Sequence, residues 1–100
     1  MPRKRVVKPG ERIPVRFTPA ERKLILEHTY AGGDVTARLS LAVVEGARLT
    51  VHYSLEDLEE LLGYIAAEAN HSSDERLAVR LYRLYDRLTA IERSTSEMGS

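Results

Sequence analysis

The sequence predicts an α+β protein in which a β-α-α unit occurs twice, with a small two-stranded sheet packed on four helices. The main observation is an internal resemblance: RIPVRFTPAERKLIL (residues 12–26) matches RLTVHYSLEDLEELL (residues 48–62) at an offset of 36 residues. Each segment begins with alternating apolar residues, as in a half-buried strand, and continues with helix-start signals. Because a lone strand with two helices cannot bury its own apolar face, we expect the two strands to pair with each other.

The first unit, residues 12–46, follows a basic arm, residues 1–11, that lacks apolar periodicity and is expected to be flexible. Ile13, Val15 and Phe17 alternate with Pro14 and Arg16, which predicts a strand with one buried face. Residues 1–23 hold eight basic and two acidic residues, a net charge of +6, whereas the rest of the chain carries −6. Such an asymmetry fits either a nucleic-acid-binding arm or a terminus that merely keeps the chain dispersed.

Two helices complete the first unit. Thr18 is placed to cap the first, Pro19 suits its first position, and Glu21 completes a capping box. Residues 34–45 fit helical and strand spacing alike. Asp34 as a cap and Gly46 just past the end favour a helix there.

The second unit, residues 48–93, repeats this order with longer helices. Leu49, Val51 and Tyr53 form the strand pattern, and Ser54 with Asp57 repeats the capping box. An apolar stripe over residues 55–69 and leucines at steps of four and three over residues 77–91 predict two helices. The short turn NHSSD, residues 70–74, predicts that these helices form an antiparallel hairpin. Residues 94–100 are expected to be a flexible tail, so one domain covers residues 12–93.

Composition limits the possible functions. The chain of 100 residues has no cysteine, which excludes disulfides and thiolate metal sites. It has neither an apolar run long enough to cross a bilayer nor a secretory signal, so we expect a cytoplasmic protein without a membrane partner. Glu68 and His71 have the E-x-x-H spacing of di-iron bundles, but such sites need two of these motifs. We therefore predict no metal, no cofactor, no small-molecule substrate and no catalytic residue.

The predicted β-α-α units resemble the ribbon-helix-helix family, in which two such units pair their strands into a ribbon that enters the DNA major groove. The resemblance implies that the outward strand residues face DNA, namely Arg12, Pro14, Arg16, Arg48, Thr50 and His52. None is acidic and three are arginines, which favours contacts to phosphate and guanine. Pro14 departs from a regular ribbon because it donates no ladder hydrogen bond. With the arm included, the candidate nucleic-acid contacts are Arg3, Lys4, Arg5, Lys8, Arg12, Arg16, Arg48 and His52.

A second resemblance covers LEDLEELLGYIAAEANHSSDERL, residues 55–77. This stretch is similar to small uncharacterised bacterial proteins and to tails of passenger proteins carried by plasmids and transposons. The resemblance implies a mobile-element or chromosomal-regulator setting and no particular activity.

Four arginines of the last predicted helix form a line beside its leucine seam: Arg76, Arg80, Arg83 and Arg87. The favoured interpretation pairs them with acidic residues of the preceding helix, among Glu56, Glu59, Glu60 and Glu68. The alternative presents them to phosphates or to an acidic partner. Tyr82 and Tyr85, on the other side of the seam, either complete the edge of the core or serve an interface. The candidate protein interface therefore comprises Arg76, Arg80, Tyr82, Arg83, Tyr85 and Arg87.

These observations predict a small regulatory or adaptor module, not an enzyme, that acts through a protein partner or through self-association. The alternative is a DNA-binding regulator that uses the paired strands and the basic arm. One structural property separates the two hypotheses: if the outward strand residues share one exposed face, DNA binding is favoured.

Overall fold

Four helices and five short strands form over residues 5–97, the part of the chain that the computed structural model describes. The helices are α1 (Pro19–His28), α2 (Gly33–Leu41), α3 (Leu55–His71) and α4 (Glu75–Arg93). The strands are β1 (Arg5–Val7), β2 (Ile13–Phe17), β3 (Val44–Glu45), β4 (Arg48–Tyr53) and β5 (Thr95–Glu97). The predicted α+β class, with four helices and a small sheet, is confirmed.

The larger sheet has the strand order β2-β4-β3, with both pairings antiparallel. It therefore has three strands, and the prediction of a two-stranded sheet is wrong. The extra strand arises because residues 34–45 are not all helical: α2 ends at Leu41, and Val44 and Glu45 pair with the start of β4. Gly46, predicted to follow a helix, instead begins the tight turn into β4 with φ +64°, a conformation that glycine adopts without strain.

Alternate residues of β2 and β4 face one buried core. The six predicted residues are all buried, namely Ile13, Val15, Phe17, Leu49, Val51 and Tyr53. The rings of Phe17 and Tyr53 meet edge to face with centroids 6.3 Å apart. The Tyr53 hydroxyl donates a hydrogen bond to the carbonyl oxygen of Val35 in α2. Burial, assisted by the negative charge of Asp57, raises the pKa of Tyr53 well above its ordinary value of 10.0.

Both predicted capping boxes are present at the starts of α1 and α3. The Thr18 hydroxyl accepts from the backbone N–H of Glu21, whose carboxylate accepts from the backbone N–H of Thr18. Ser54 and Asp57 make the same reciprocal pair. Each strand thus passes into its helix through one residue of extended backbone. This geometry fixes where each helix leaves the sheet.

The two longest helices, α3 and α4, contact each other along their apolar faces and are joined by residues 72–74. Asp74 caps α4 by accepting from the backbone N–H groups of Arg76 and Leu77. Leu58, Leu62 and Ile65 of α3 and Leu81, Leu84 and Leu88 of α4 belong to the same buried core as the strands. None of the helices within residues 5–97 is long and apolar enough to cross a membrane.

The two ends of the described chain form a separate parallel pair. Arg5 lies opposite Thr95 and Val7 opposite Glu97, and the Arg5 amide donates to the carbonyl of Ser94 at 2.7 Å. Val7 is only 2% exposed, so its burial against the core accounts for the ordering of this segment. The fold thus extends past the predicted boundaries at residues 12 and 93: residues 5–7 and 95–97, expected to be flexible, are strands. Predicted contacts Arg3 and Lys4 lie outside the described residues.

Candidate functional site

The outer surface of β2 and β4, called the ribbon face here, is formed by Pro14, Arg16, Arg48, Thr50 and His52, all exposed. In the strand register Arg16 lies opposite Thr50 and Pro14 opposite His52. Arg16 is therefore the diagonal neighbour of both Arg48 and His52, and diagonal neighbours lie about 7–8 Å apart, within reach of long side chains. Of the six outward residues named from the sequence, these five share one exposed face, and Arg12, which is also exposed, immediately precedes β2.

A shallow depression of about 650 Å³ covers this face. Its lining consists of Arg16, Val43, Glu45, Ala47, Arg48, Thr50 and His52. Glu45 is the one acidic lining residue, and it lies opposite Arg48 in the register of β3 and β4. Glu56, Glu59 and Glu60, whose carboxylates would repel phosphate, do not line it.

The arginines of the ribbon face form no ion pair with any described residue. Within residues 5–97 the side-chain ion pairs join Arg38 to Asp34 and Arg87 to Glu21, so no carboxylate lies within 4.0 Å of the Arg16 or Arg48 guanidinium. Their charges face solvent and the depression. An exposed, unpaired guanidinium keeps all its donors available for a ligand.

Pro14 fits the strand because β2 is an edge of the sheet. The carbonyl oxygen of Arg16 accepts a hydrogen bond from Nη2 of Arg87 at 3.0 Å, so the Arg16 backbone groups point away from β4. Those of Pro14, two residues earlier, point the same way because the direction alternates along an antiparallel strand. The missing N–H of Pro14 therefore removes no ladder hydrogen bond.

The remaining predicted nucleic-acid contacts among the described residues do not line the depression. Arg12 is exposed and immediately precedes β2, but it does not line the depression. Arg5 lies in β1 beside β5, and Lys8 follows β1, where its amide donates to the carboxylate of Glu11. Neither residue lines the depression. The described part of the arm instead pairs with the C-terminal strand through β1.

The favoured interpretation of the α4 arginines, pairing with acidic residues of α3, is wrong. Arg87 instead pairs with Glu21 of α1: its Nε donates to Oε2 at 3.0 Å and its Nη2 to Oε1 at 2.8 Å. Its guanidinium also lies 5.8 Å from the centroid of the Phe17 ring. These contacts are internal, so they account for the Arg87 charge without a partner protein. The capping-box spacing identified Glu21 only as a cap, and no local signal pointed to its partner 66 residues away.

The other predicted interface residues of α4 divide into two groups. Arg76, Arg80 and Arg83 are exposed, and no described carboxylate lies within 4.0 Å of them. Tyr82 is 44% exposed, and its hydroxyl donates to the side-chain oxygen of Asn70. Tyr85 is half-buried against the core, which places it at the core edge and not on an open surface.

The ribbon face offers two guanidinium groups, an imidazole and a hydroxyl on the outer side of two paired strands. Such donors suit phosphate oxygens and the acceptor edge of guanine. Among residues 5–97 no group of three or more histidines and carboxylates is arranged to hold a metal ion. Comparison of the chain with protein-family models, with curated proteins and with solved structures finds no match.

Proposed function

We propose that the protein is a small, non-enzymatic regulatory module that binds duplex DNA through the ribbon face. The observation that carries this proposal is the common exposure of Arg16, Arg48 and His52 on one face of paired strands, with neither arginine ion-paired. A two-stranded ribbon is narrow enough for the major groove, which is about 12 Å wide. β3 has two residues and lies beside Arg48 and Leu49, so β2 is the sole neighbour of the rest of β4.

The register of the strands supports an internal pseudo-twofold axis. Val15 and Val51, which are equivalent at the offset of 36 residues, lie directly opposite each other. The flanking pairs, Ile13 with Tyr53 and Phe17 with Leu49, exchange with each other under the same offset. We infer two β-α-α pseudo-repeats, residues 12–46 and 48–93, with α3 and α4 as an antiparallel hairpin.

This symmetry matters for the proposed ligand. Arg12, which immediately precedes β2, becomes equivalent to Arg48, and Arg16 becomes equivalent to His52, so basic side chains occur in matching positions of the two repeats. Duplex DNA has local twofold symmetry, and proteins with twofold symmetry bind palindromic sites. The proposal therefore favours a short, imperfectly palindromic site. The proposal agrees with the resemblance to the ribbon-helix-helix family and with a mobile-element setting. We propose that the protein acts in the cytoplasm.

A duplex-binding assay with matched variants tests the proposal. Fluorescence anisotropy of a labelled 20-base-pair duplex pool in ~50 mM salt should show binding, because even non-specific binders reach dissociation constants of about 10⁻⁴–10⁻⁶ M at physiological salt and bind more tightly below it. The double variant Arg16→Ala/Arg48→Ala should weaken binding. It should also flatten the plot of log affinity against log salt by about 0.9 for each lost phosphate contact. Glu45→Gln should strengthen binding because it removes the one carboxylate of the depression.

The control is Arg76→Ala, which removes the same kind of side chain at the opposite end of α4 from the contact between Arg87 and β2. It should leave duplex binding unchanged. No duplex binding at micromolar protein, or equal binding by the Arg16→Ala/Arg48→Ala variant and the wild type, would refute the proposal.

A second candidate function is recognition of a protein partner, or self-association, through α4. The observation favouring it is the line of Arg76, Arg80 and Arg83, which form no ion pair within residues 5–97, with Val79 47% exposed among them. Exposed arginines that form no ion pair with the described residues add little to the stability of the fold. The two candidates use different surfaces and are separated by variants of each.

A further inference from the structure

A groove lies between α1 and α4 and shares no lining residue with the depression on the ribbon face. It has a volume of about 270 Å³ and is lined by Ala20, Glu21, Leu24, Arg80, Arg83, Leu84 and Arg87. A second depression of about 380 Å³ shares Arg80 and Arg83 and adds Glu75, Arg76 and Val79. We call the two together the α4 groove. Its long wall is one face of α4, from Arg76 to Arg87, which spans about 16 Å at the helical rise.

The α4 groove is positively charged. Glu21 is neutralised by its bidentate pair with Arg87, so these two residues add no net charge. Arg76, Arg80 and Arg83 have no carboxylate within 4.0 Å among the described residues, and Glu75 is the remaining acid of the lining. Three unpaired guanidinium groups at helical steps of four and three thus face solvent on a chain whose formal net charge is zero.

The floor of the groove is apolar. Leu24 and Leu84 line it from the core, Ala20 lines it from α1, and Val79 is 47% exposed beside the arginines. Nucleic-acid interfaces are more polar than this and need no apolar floor beneath the charges. An amphipathic peptide matches both features, since its apolar side chains cover an apolar groove while its charged residues meet the rim. The observations therefore favour a peptide ligand over a phosphate backbone.

We propose that the α4 groove docks an acidic amphipathic helix of a partner protein. Carboxylates spaced at i and i+4, or i and i+3, would meet Arg80 together with Arg76 or Arg83, because the arginines follow the same helical steps. An apolar residue between them would cover Val79 and the floor at Leu24. This proposal names the partner class of the second candidate function, and it is independent of DNA binding by the ribbon face.

The test uses a fluorescein-labelled 16-residue peptide with leucine at every third or fourth position and glutamate on both sides of that stripe. Anisotropy at ~50 mM salt should show saturable binding. The double variant Arg80→Glu/Arg83→Glu should reduce affinity about tenfold or more, because it replaces attraction with like-charge repulsion. Arg80→Ala/Arg83→Ala should give a smaller loss and serves if the charge reversal prevents folding. Arg48→Glu, on the ribbon face, should leave peptide binding unchanged.

Two peptide controls separate charge from apolar contact. A peptide with glutamine for glutamate and one with serine for leucine should each bind more weakly than the parent. Equal binding by the glutamine peptide, or by the Arg80→Ala/Arg83→Ala variant, would overturn the proposal. Duplex DNA should not displace the peptide from the Arg48→Glu variant. If it does, the groove binds nucleic acid and not a peptide. Concentration-dependent dimerisation abolished by Arg80→Glu/Arg83→Glu would replace the partner protein with a second copy of this chain.

Discussion

The ion pair between Arg87 and Glu21 joins three elements at one point, and we predict that it contributes measurably to stability. Arg87 extends from α4, Glu21 completes the capping box of α1, and the Arg87 guanidinium also donates to the carbonyl oxygen of Arg16 in β2. The Arg87 and Glu21 side chains are 38% and 23% exposed, so the pair is partly shielded from water. The informative perturbations are Arg87→Ala and Glu21→Gln, separately and together.

The expected magnitude follows from the contacts. A partly exposed bidentate pair lies between the ~0.2–1 kcal/mol of surface pairs and the ~1.5–3 kcal/mol of hydrogen bonds to charged groups. We therefore expect a coupling free energy of about 1–2 kcal/mol between Arg87 and Glu21. Arg87→Ala alone should cost about 2–3 kcal/mol, because it also removes the bond to the Arg16 carbonyl and the contact with the Phe17 ring. Glu21→Gln should cost less, since glutamine still serves in a capping box.

Urea denaturation of the four proteins, followed by circular dichroism, gives the coupling energy directly. The slope m should stay constant across the cycle, so that midpoint shifts report stability. Arg83→Ala is the matched control, being exposed and unpaired on the same helix, and its effect should lie within about ±0.5 kcal/mol. If the effects of Arg87→Ala and Glu21→Gln add to within about 0.3 kcal/mol, the pair does not stabilise the fold and the reasoning is refuted.

Two further predictions concern the core. Phe17→Ala should lower the free energy of unfolding by about 3–5 kcal/mol, because the ring is 1% exposed and contacts Tyr53; a loss below about 1.5 kcal/mol in urea would contradict the packing described. Stability should fall as pH rises above about 10, since the unfolded chain releases the Tyr53 proton near that pH while the raised pKa of the folded state retains it. The slope should approach about 1.4 kcal/mol per pH unit, and it should be smaller in Tyr53→Phe; identical pH profiles for both proteins would rule out this contribution.

The features that sequence predicted well are set by neighbouring residues. Alternation in β2 and β4 decides which face each side chain occupies, and Val15 and Val51 are buried as the pattern requires. The capping boxes at Thr18 and Ser54 are local hydrogen-bonding arrangements within four residues, so their spacing identified both helix starts. The ribbon face followed from the same alternation, since every second residue must point outward.

The features that sequence did not predict depend on distant parts of the chain. Val43 and Val44 fit a helix or a strand equally, and pairing with β4 decides the outcome for Val44. Val7 has no periodic neighbours, so nothing nearby indicated its burial or its partner strand. The partner of Arg87 lies on α1, and helical spacing reports only on residues three or four positions away.

The parallel pairing of β1 with β5 has a consequence for the order in which the molecule can be completed during synthesis. The ribosome makes the chain in the N- to C-terminal direction, so Arg5–Val7 emerges before its partner Thr95–Glu97, which is made 90 residues later. Val7 therefore lacks its partner strand until after both strands of every other pair within residues 5–97 have been made. Closing this long loop is also entropically costly, which places the pairing after the more local contacts in spontaneous refolding. We therefore expect the joining of β1 to β5 to be the last strand pairing to form, in newly made and in refolding chains alike.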